Sequence, residues 1–324
     1  MILVTGASGL VGLHLLQSLS QSDKKIIALY KTKIPTFLEG TNDKNIIWKQ
    51  CDITDITTLE TCFENITHVY HCAAMVSYDP RHKDEMMYVN VNGTSHVVNL
   101  ALEYGVEKLI YISSIAALSV NEDKELISEK NNWNENEGHS AYSESKYLAE
   151  MEVWRAAAEG LSIAILNPGI ILGEGDNTKS STNLFQIIHD EFTYYTNGIT
   201  AWVDVKDVVK AAILLMDSTI NHNRFILSTG NFSYKEIFTM MANAMNKKSP
   251  SKYASPFWAE IIWRLSYLKS ILNGKTATIT KETVRTAYKI QKFDNQKFLQ
   301  FFPSFKYNQI NDTIKRIVDF LYNQ

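Results

Sequence analysis

Tyr142 and Lys146 stand four residues apart in Tyr142-Ser143-Glu144-Ser145-Lys146, within a stretch whose pattern predicts a helix over 141–159. Residues at i and i+4 share one helix face. An ammonium beside a phenol favours the phenolate, because opposite charge stabilises the ionised form. Free tyrosine titrates near ~10, and each unit of lowering corresponds to ~1.4 kcal/mol of differential interaction. A tyrosine tuned in this way exchanges a proton near neutral pH, which is the work of a general acid or base. Taken alone, the pair equally describes a solvated helix face, so it needs a partner. Ser113 and Ser114 end a predicted strand over 107–113. A hydroxyl there can hold a carbonyl oxygen, although simple turn chemistry also explains two serines at a strand end.

The N-terminus offers a second kind of chemistry. Residues 1–4 are apolar, and after Thr5 the glycines Gly6, Gly9 and Gly12 follow at the spacing that admits a pyrophosphate. The first glycine permits a tight turn, the second leaves no Cβ in the way, and the third lets the next helix pack closely. Gly6, Ser8, Gly9, Leu10, Val11 and Gly12 are the candidate contacts, with the positive end of a helix over 10–20 aimed at the phosphates.

Strands and helices alternate in the segments that carry these residues. Strands are predicted over 2–5, 25–30, 45–49, 67–72, 107–113, 161–166 and 224–227. Helices are predicted over 10–20, 54–65, 84–104, 141–159 and 203–216. Such alternation implies an α/β fold, a doubly wound parallel sheet with right-handed crossovers and a ligand along the carboxyl strand ends. Residues 1–168 and 203–229 are expected to form the dinucleotide-binding domain. Residues 169–202 and 230–324 are expected to form a smaller, mostly helical substrate lobe. The apolar residues between Phe257 and Leu272 (Trp258, Ile261, Ile262, Leu265, Leu268) are expected to pack in a core, with a surface-binding face that meets a membrane as the alternative.

Composition narrows the classes. The chain has 324 residues, 45% of them hydrophobic and 21% charged, as in a globular protein with a substantial core. A net charge of −3 gives no electrostatic argument for nucleic acid or an anionic membrane. No apolar run reaches the ~20 residues of a membrane span, and with no leader pattern the expected location is cytoplasmic. Cys51, Cys62 and Cys72 lack metal-ligand spacing and are expected to be reduced thiols. The scattered histidines form no cluster, so no metal site is expected.

In order along the chain, these motifs resemble the extended short-chain dehydrogenases/reductases, part of the epimerase/dehydratase superfamily, over nearly the whole length. Thr5-Gly6-Ala7-Ser8-Gly9-Leu10-Val11-Gly12 matches that family's cofactor turn. Asp52-Ile53 matches the pair that holds adenine, and His71-Cys72-Ala73-Ala74 the strand end beside the cofactor. The resemblance implies that Asn90, in Asn90-Val91-Asn92-Gly93-Thr94, orders a water on the catalytic lysine. It also implies that Ser114, Tyr142 and Lys146 are catalytic. Ser113, Tyr142, Lys146 and the Asn167-Pro168-Gly169 segment would complete the cofactor contacts. The later layout is similar to the dihydroflavonol-reductase-like and hydroxysteroid-dehydrogenase-like branch.

An NAD site carries an acid about twenty residues past the glycine turn. Here Lys31 stands at the end of the second strand, which favours NADP(H) over NAD, although a solvated loop lysine is the plain alternative. Residues 169–202 hold no arginine and many aromatics, which suits a hydrophobic or ring-bearing carbonyl or alcohol substrate. Its expected pocket is formed by residues 75–78, 116–118, 169–172 and 185–202. A sugar-nucleotide epimerase or dehydratase with tightly bound NAD is the alternative, for which Lys179 and Lys206 are the available cations. A non-catalytic redox sensor is a second alternative, and a homodimer is possible.

Overall fold

The structure, a computed structural model, describes residues 1–20, 23–34, 44–119, 126–131, 133–176, 180–273 and 279–322. Strands β1 (Ile2–Thr5), β2 (Ile26–Tyr30), β3 (Ile46–Gln50), β4 (His68–His71), β5 (Lys108–Ile112) and β6 (Ile163–Pro168) alternate with helices. The helices between them are α1 (Leu10–Leu19), α2 (Ile56–Glu60), α3 (Lys83–Met87), α4 (Gly93–Glu103) and α5 (Ala141–Ala158). The chain continues through β7 (Ile170–Leu172), α6 (Asn183–His189), β8 (Tyr194–Tyr195), β9 (Ile199–Asp204), α7 (Val205–Met216) and β10 (Asn223–Leu227). It ends with β11 (Gly230–Ser233), α8 (Tyr234–Ala244), β12 (Lys252–Tyr253), α9 (Pro256–Asn273), α10 (Lys281–Tyr288), α11 (Gln296–Phe301) and α12 (Ile310–Tyr322).

Seven parallel strands form the main sheet in the order β10-β6-β5-β4-β1-β2-β3. The strands β1, β5 and β6 are buried throughout, the continuous apolar signature of a sheet covered on both faces. One face packs against α1 and α7 through Leu15, Leu16, Val208, Ala212 and Leu215. The other packs against α4 and α5 through Val97, Val98, Ala149 and Val153. The order in which strands are added reverses between β1 and β4, which opens a crevice at their carboxyl ends.

Three sequence expectations change in detail. The long helix over 84–104 is interrupted by a π-helical turn, Tyr88–Asn92, between α3 and α4. A second sheet, β11-β9-β7, was not anticipated; β9 places Trp202 and Val203 in a strand and delays α7 to Val205. Finally, α9 does not bury its apolar face: Trp258, Ile262, Leu265 and Leu268 are exposed, while Ala259 is buried. The Leu272 side chain lies outside the described residues. All three cysteines are free, with Cys51 and Cys62 in the core beneath α4.

Candidate active site

The glycine turn separates positions that the fold needs from one it does not. Gly6 has φ +64°, and a Cβ there would lie 2.6 Å from the Ala73 backbone. A Cβ on Gly12 would lie 2.7 Å from the Ala7 Cα, blocking the approach of α1 to the turn. At Gly9 the sole neighbour is the Gly6 carbonyl oxygen at 3.3 Å, so a Cβ there asks for a shift of a few tenths of an ångström and packing demands glycine far less than at Gly6 or Gly12. Gly9 is also the N-cap of α1 and provides no side-chain cap. The first amides of α1 are therefore left to an anion, and a Cβ at Gly9 would intrude on their approach. These residues fit a dinucleotide pyrophosphate.

Ser114 and Tyr142 meet at the carboxyl end of β5. Ser140 caps α5 by accepting from the Ser143 amide at 3.0 Å, which fixes the start of the helix that carries Tyr142. Burial pushes the Tyr142 phenol above its ordinary value, and its hydrogen bond with Ser114 pulls the other way. One turn later, Lys146 is buried and donates to the Tyr111 hydroxyl at 3.0 Å and to the Ile112 carbonyl at 2.9 Å. Burial lowers its pKa to about 8, against the opposing pull of Glu150. The expectation that Lys146 itself depresses Tyr142 is not met here, because the ammonium is turned onto Tyr111 and the β5 backbone.

Behind this pair runs a chain of matched hydrogen bonds. The Ala73 amide donates to Thr5 Oγ1 at 3.2 Å, and Thr5 Oγ1 lies 2.7 Å from His71 Nδ1. His71 Nε2 lies 2.9 Å from Thr94 Oγ1, which donates to the Asn90 carbonyl at 2.6 Å. Since the Thr94 proton is committed to that carbonyl, His71 donates from Nε2 and accepts at Nδ1. Burial lowers the His71 pKa to about 3, so the ring is neutral at pH 7 and stacks on Tyr111 at 5.3 Å. It braces the site rather than acting as a base.

The π-helical turn aims Asn90 into the same region. Asn90 Oδ1 accepts from the Met75 amide at 2.7 Å, while Nδ2 donates to the Met75 carbonyl and to Ser145 Oγ, both at 2.9 Å. Its two N–H groups are thus spent on the 75 loop and on α5.

The sequence reading missed the hub of this site. Glu150, one turn beyond Lys146, is buried and accepts from Ser113 Oγ at 2.7 Å, Asn167 Nδ2 at 2.9 Å, Arg224 Nη1 at 3.1 Å and Trp154 Nε1 at 3.3 Å. The Tyr142-Lys146-Glu150 spacing of four was its signal. Ser113 therefore turns its hydroxyl to Glu150, not toward a cofactor. Asn167 Nδ2 also donates to the Ser114 carbonyl at 3.0 Å, and its Oδ1 is buried with no partner among the described residues.

At the other end of the crevice, Lys31 Nζ lies 2.9 Å from Asp52. Burial raises the Asp52 pKa, but the Lys31 ammonium and the Thr54 hydrogen bonds outweigh it and hold the carboxyl below its ordinary value. Ile53 is buried and fills the space beside Gly93.

The aromatics of 185–202 divide into two groups. Phe185 and Trp202 are wholly buried in the core between the second sheet and α8, whereas Phe192 and Tyr194 are exposed. Closer to the site are Tyr78, which packs edge-on to Tyr142 at 5.8 Å, and Tyr234, whose phenol burial raises to about 12. Glu282 of α10 accepts from the Ala141 amide at 3.2 Å, tying the C-terminal region to the start of α5. Lys206 and Arg316 are both spent on Glu174, at 3.4 and 2.6 Å. Lys179 lies outside the described residues.

A parallel sheet with an uncapped helix behind a glycine turn, and a Tyr/Lys/Ser group beside it, defines a dinucleotide-binding protein of the short-chain dehydrogenase/reductase type. The model of the NAD dependent epimerase/dehydratase family matches residues 2–227, and the chain belongs to that family of enzymes. It is 25% identical over 304 residues to a Synechocystis protein provisionally named a dihydroflavonol 4-reductase, covering 92% of this chain and 88% of that one. It is 27% identical over 231 residues to sterol demethylase protein B of Methylococcus capsulatus, covering 70% and 69%. It is also 27% identical over 215 residues to cinnamoyl-CoA reductase 1 of Arabidopsis thaliana, covering 63% and 61%. Among solved structures, the Bordetella bronchiseptica enzyme WbmH in complex with NAD+ superposes with a TM-score of 0.79 at 17% identity, over 100% and 99% of the chains. UDP-glucose 4-epimerase of Thermotoga maritima gives 0.79 at 19%, over 99% and 98%. At these identities the superpositions establish the fold.

Proposed function

We propose that this protein reduces a hydrophobic or ring-bearing ketone or aldehyde, or oxidises the corresponding alcohol, with NADP(H) as its preferred dinucleotide. The observation that carries this reading is the meeting of Ser114 and the buried Tyr142 phenol at the end of β5, with Lys146 one turn behind on α5. The bound dinucleotide supplies or accepts the hydride. Ser114 holds the carbonyl oxygen, and Tyr142 gives that oxygen its proton. A phenol held above its ordinary value is protonated at pH 7, the form that a reduction requires. Two of the three Lys146 N–H groups are committed to Tyr111 and Ile112, leaving one for the cofactor ribose. Asn90 is a positioning residue, holding the 75 loop against α5.

Residues 6–12 would hold the pyrophosphate and Asp52 and Ile53 the adenine. Lys31, half-exposed and paired with Asp52, would turn from that carboxylate to a 2′-phosphate, because no carboxylate ends β2. Ala73 and Ala74 would flank the cofactor, as would Asn167, Pro168 and Gly169, with the unpartnered Asn167 Oδ1 free to accept from a carboxamide. An apolar substrate is supported by the ion pairs that occupy Lys206 and Arg316, because a diphosphate left unpaired in an apolar pocket would forfeit several kcal/mol of hydration. The reductase names among the relatives agree with this choice.

The test is NADPH oxidation by the purified protein against a panel of aromatic and alicyclic ketones and aldehydes. The Tyr142→Phe variant should bind the cofactor normally and lose roughly 10²-fold or more in turnover. An active Tyr142→Phe enzyme would remove Tyr142 as the acid. Tighter binding of NADH than NADPH would overturn the cofactor preference, and micromolar affinity for nucleotide-diphosphate sugars alone would move the protein to the epimerase reading.

A further inference from the structure

Helix α9 has its sidedness reversed. Among its described side chains Ala259 and Ser270 are the buried ones, whereas Phe257 is 69% exposed, Trp258 60%, Leu265 61% and Leu268 56%. At 100° per residue, these four and Ile262 fall on a continuous arc of about 140°. An apolar stripe this wide normally faces a core. Here it faces outward, and the strand that precedes α9 in the chain, β12, adds the exposed Tyr253. Single exposed apolar residues need no explanation, but a contiguous patch marks an interaction site.

The charge around the stripe identifies the partner. Residues 247–292 hold ten lysines and arginines against two acids, Glu260 and Glu282, a local charge of +8 in a chain whose total is −3. Lys248, Lys252, Arg264, Lys281, Arg285 and Lys289 are exposed. Outside this segment the chain therefore carries −11, so the cations are concentrated where the apolar stripe emerges. An outward stripe of Trp, Phe and Leu flanked by Lys and Arg is the pattern of a helix that lies in the plane of an anionic bilayer. No described helix is long and apolar enough to cross a membrane, so the contact is one of docking.

We propose that α9 and its basic flanks seat this protein on an anionic phospholipid surface. The apolar stripe enters the headgroup boundary while the surrounding ammonium and guanidinium groups meet lipid phosphates. The inference does not rest on the catalytic reading and stands or falls separately from it.

Co-sedimentation of the full chain with vesicles tests it. Equimolar phosphatidylglycerol and phosphatidylcholine should bind the protein at low salt, with binding weakened by added salt, and phosphatidylcholine alone should bind it far less. Leu265→Glu with Leu268→Glu should reduce binding at least about tenfold with an unchanged circular dichroism melt. Lys248→Glu with Lys252→Glu should weaken binding to the anionic vesicles and steepen no other property. Absence of binding to either vesicle overturns the proposal, as does binding indifferent to both pairs of substitutions. A concentration-dependent dimer that the leucine substitutions dissociate, without vesicle binding, would assign the face to a second copy of the chain instead.

Discussion

Around Glu150 and His71, nearly every buried polar atom has a partner of the right kind. One carboxylate takes four donors, and one imidazole sits between two threonine hydroxyls. Along α9, by contrast, large apolar side chains stand in solvent amid cations. In the first region the unmet groups are few and local: the opening amides of α1 and Asn167 Oδ1. In the second, a whole helix face is unmet. The difference separates two kinds of recognition. A small molecule is recognised by a handful of groups that a rigid network leaves free, and a surface by area and field.

The largest expected effects lie in the glycine turn. Gly12→Ala should destabilise the fold by about 1–3 kcal/mol or more, because its Cβ meets backbone atoms that cannot move aside cheaply. Gly9→Ala should fold normally and lose cofactor affinity by about tenfold or more, near 1.4 kcal/mol. Urea denaturation together with cofactor titration reads both. A Gly9→Ala protein that binds dinucleotide as tightly as the parent would show that the pyrophosphate does not lie against this turn.

A smaller effect tests whether the matched network tunes the site. Lys146 loses its charge as pH rises through about 8, and the Glu150 carboxylate holds that value up against burial. Glu150→Gln removes the negative charge and leaves Arg224 nearby, so the Lys146 pKa should fall further. The alkaline limb of cofactor binding and of kcat/KM should then begin at lower pH, by about one unit for each 1.4 kcal/mol of interaction removed. Glu150→Asp should restore much of the parent profile. A purely structural Glu150 would lower the amount of folded protein without moving the limb.

The two regions also differ in how much of them was legible in the sequence. The sheet and the glycine turn were readable because strand alternation and turn geometry restrict residue type at fixed spacing, and the meeting of Ser114 with Tyr142 was readable from a strand end facing a helix start. Asn90 was found, but its contacts were not. A π-helical turn has no clear signature in hydrophobic periodicity, and it is this turn that directs Asn90 to Met75 and Ser145. Glu150 was overlooked because a single acid on a helix reads as solvated until tertiary contacts bury it. Trp202 was misplaced toward a pocket because an aromatic cluster looks the same whether it lines a cavity or fills a core. On α9 periodicity found the stripe but could not say which way it faced, since an apolar face has the same spacing whether protein or lipid covers it.

The smallest expected effect sharpens the contrast most directly. Leu265→Gln with Leu268→Gln replaces two apolar side chains by polar ones on the exposed stripe, where little native packing is lost. Folding stability should stay within about 0.5 kcal/mol of the parent, the usual range for surface positions. Thr5→Val goes the other way, exchanging a buried hydroxyl for a methyl group of the same shape. It leaves His71 Nδ1 and the Ala73 amide without their partner and should cost about 1–3 kcal/mol. Urea titrations of the two variants, run in parallel, measure that inversion. If the leucine pair proved as costly as Thr5→Val, α9 would have to be covered within the folded protein itself. Its apolar face would then be part of a core, and the contrast between the two regions would disappear.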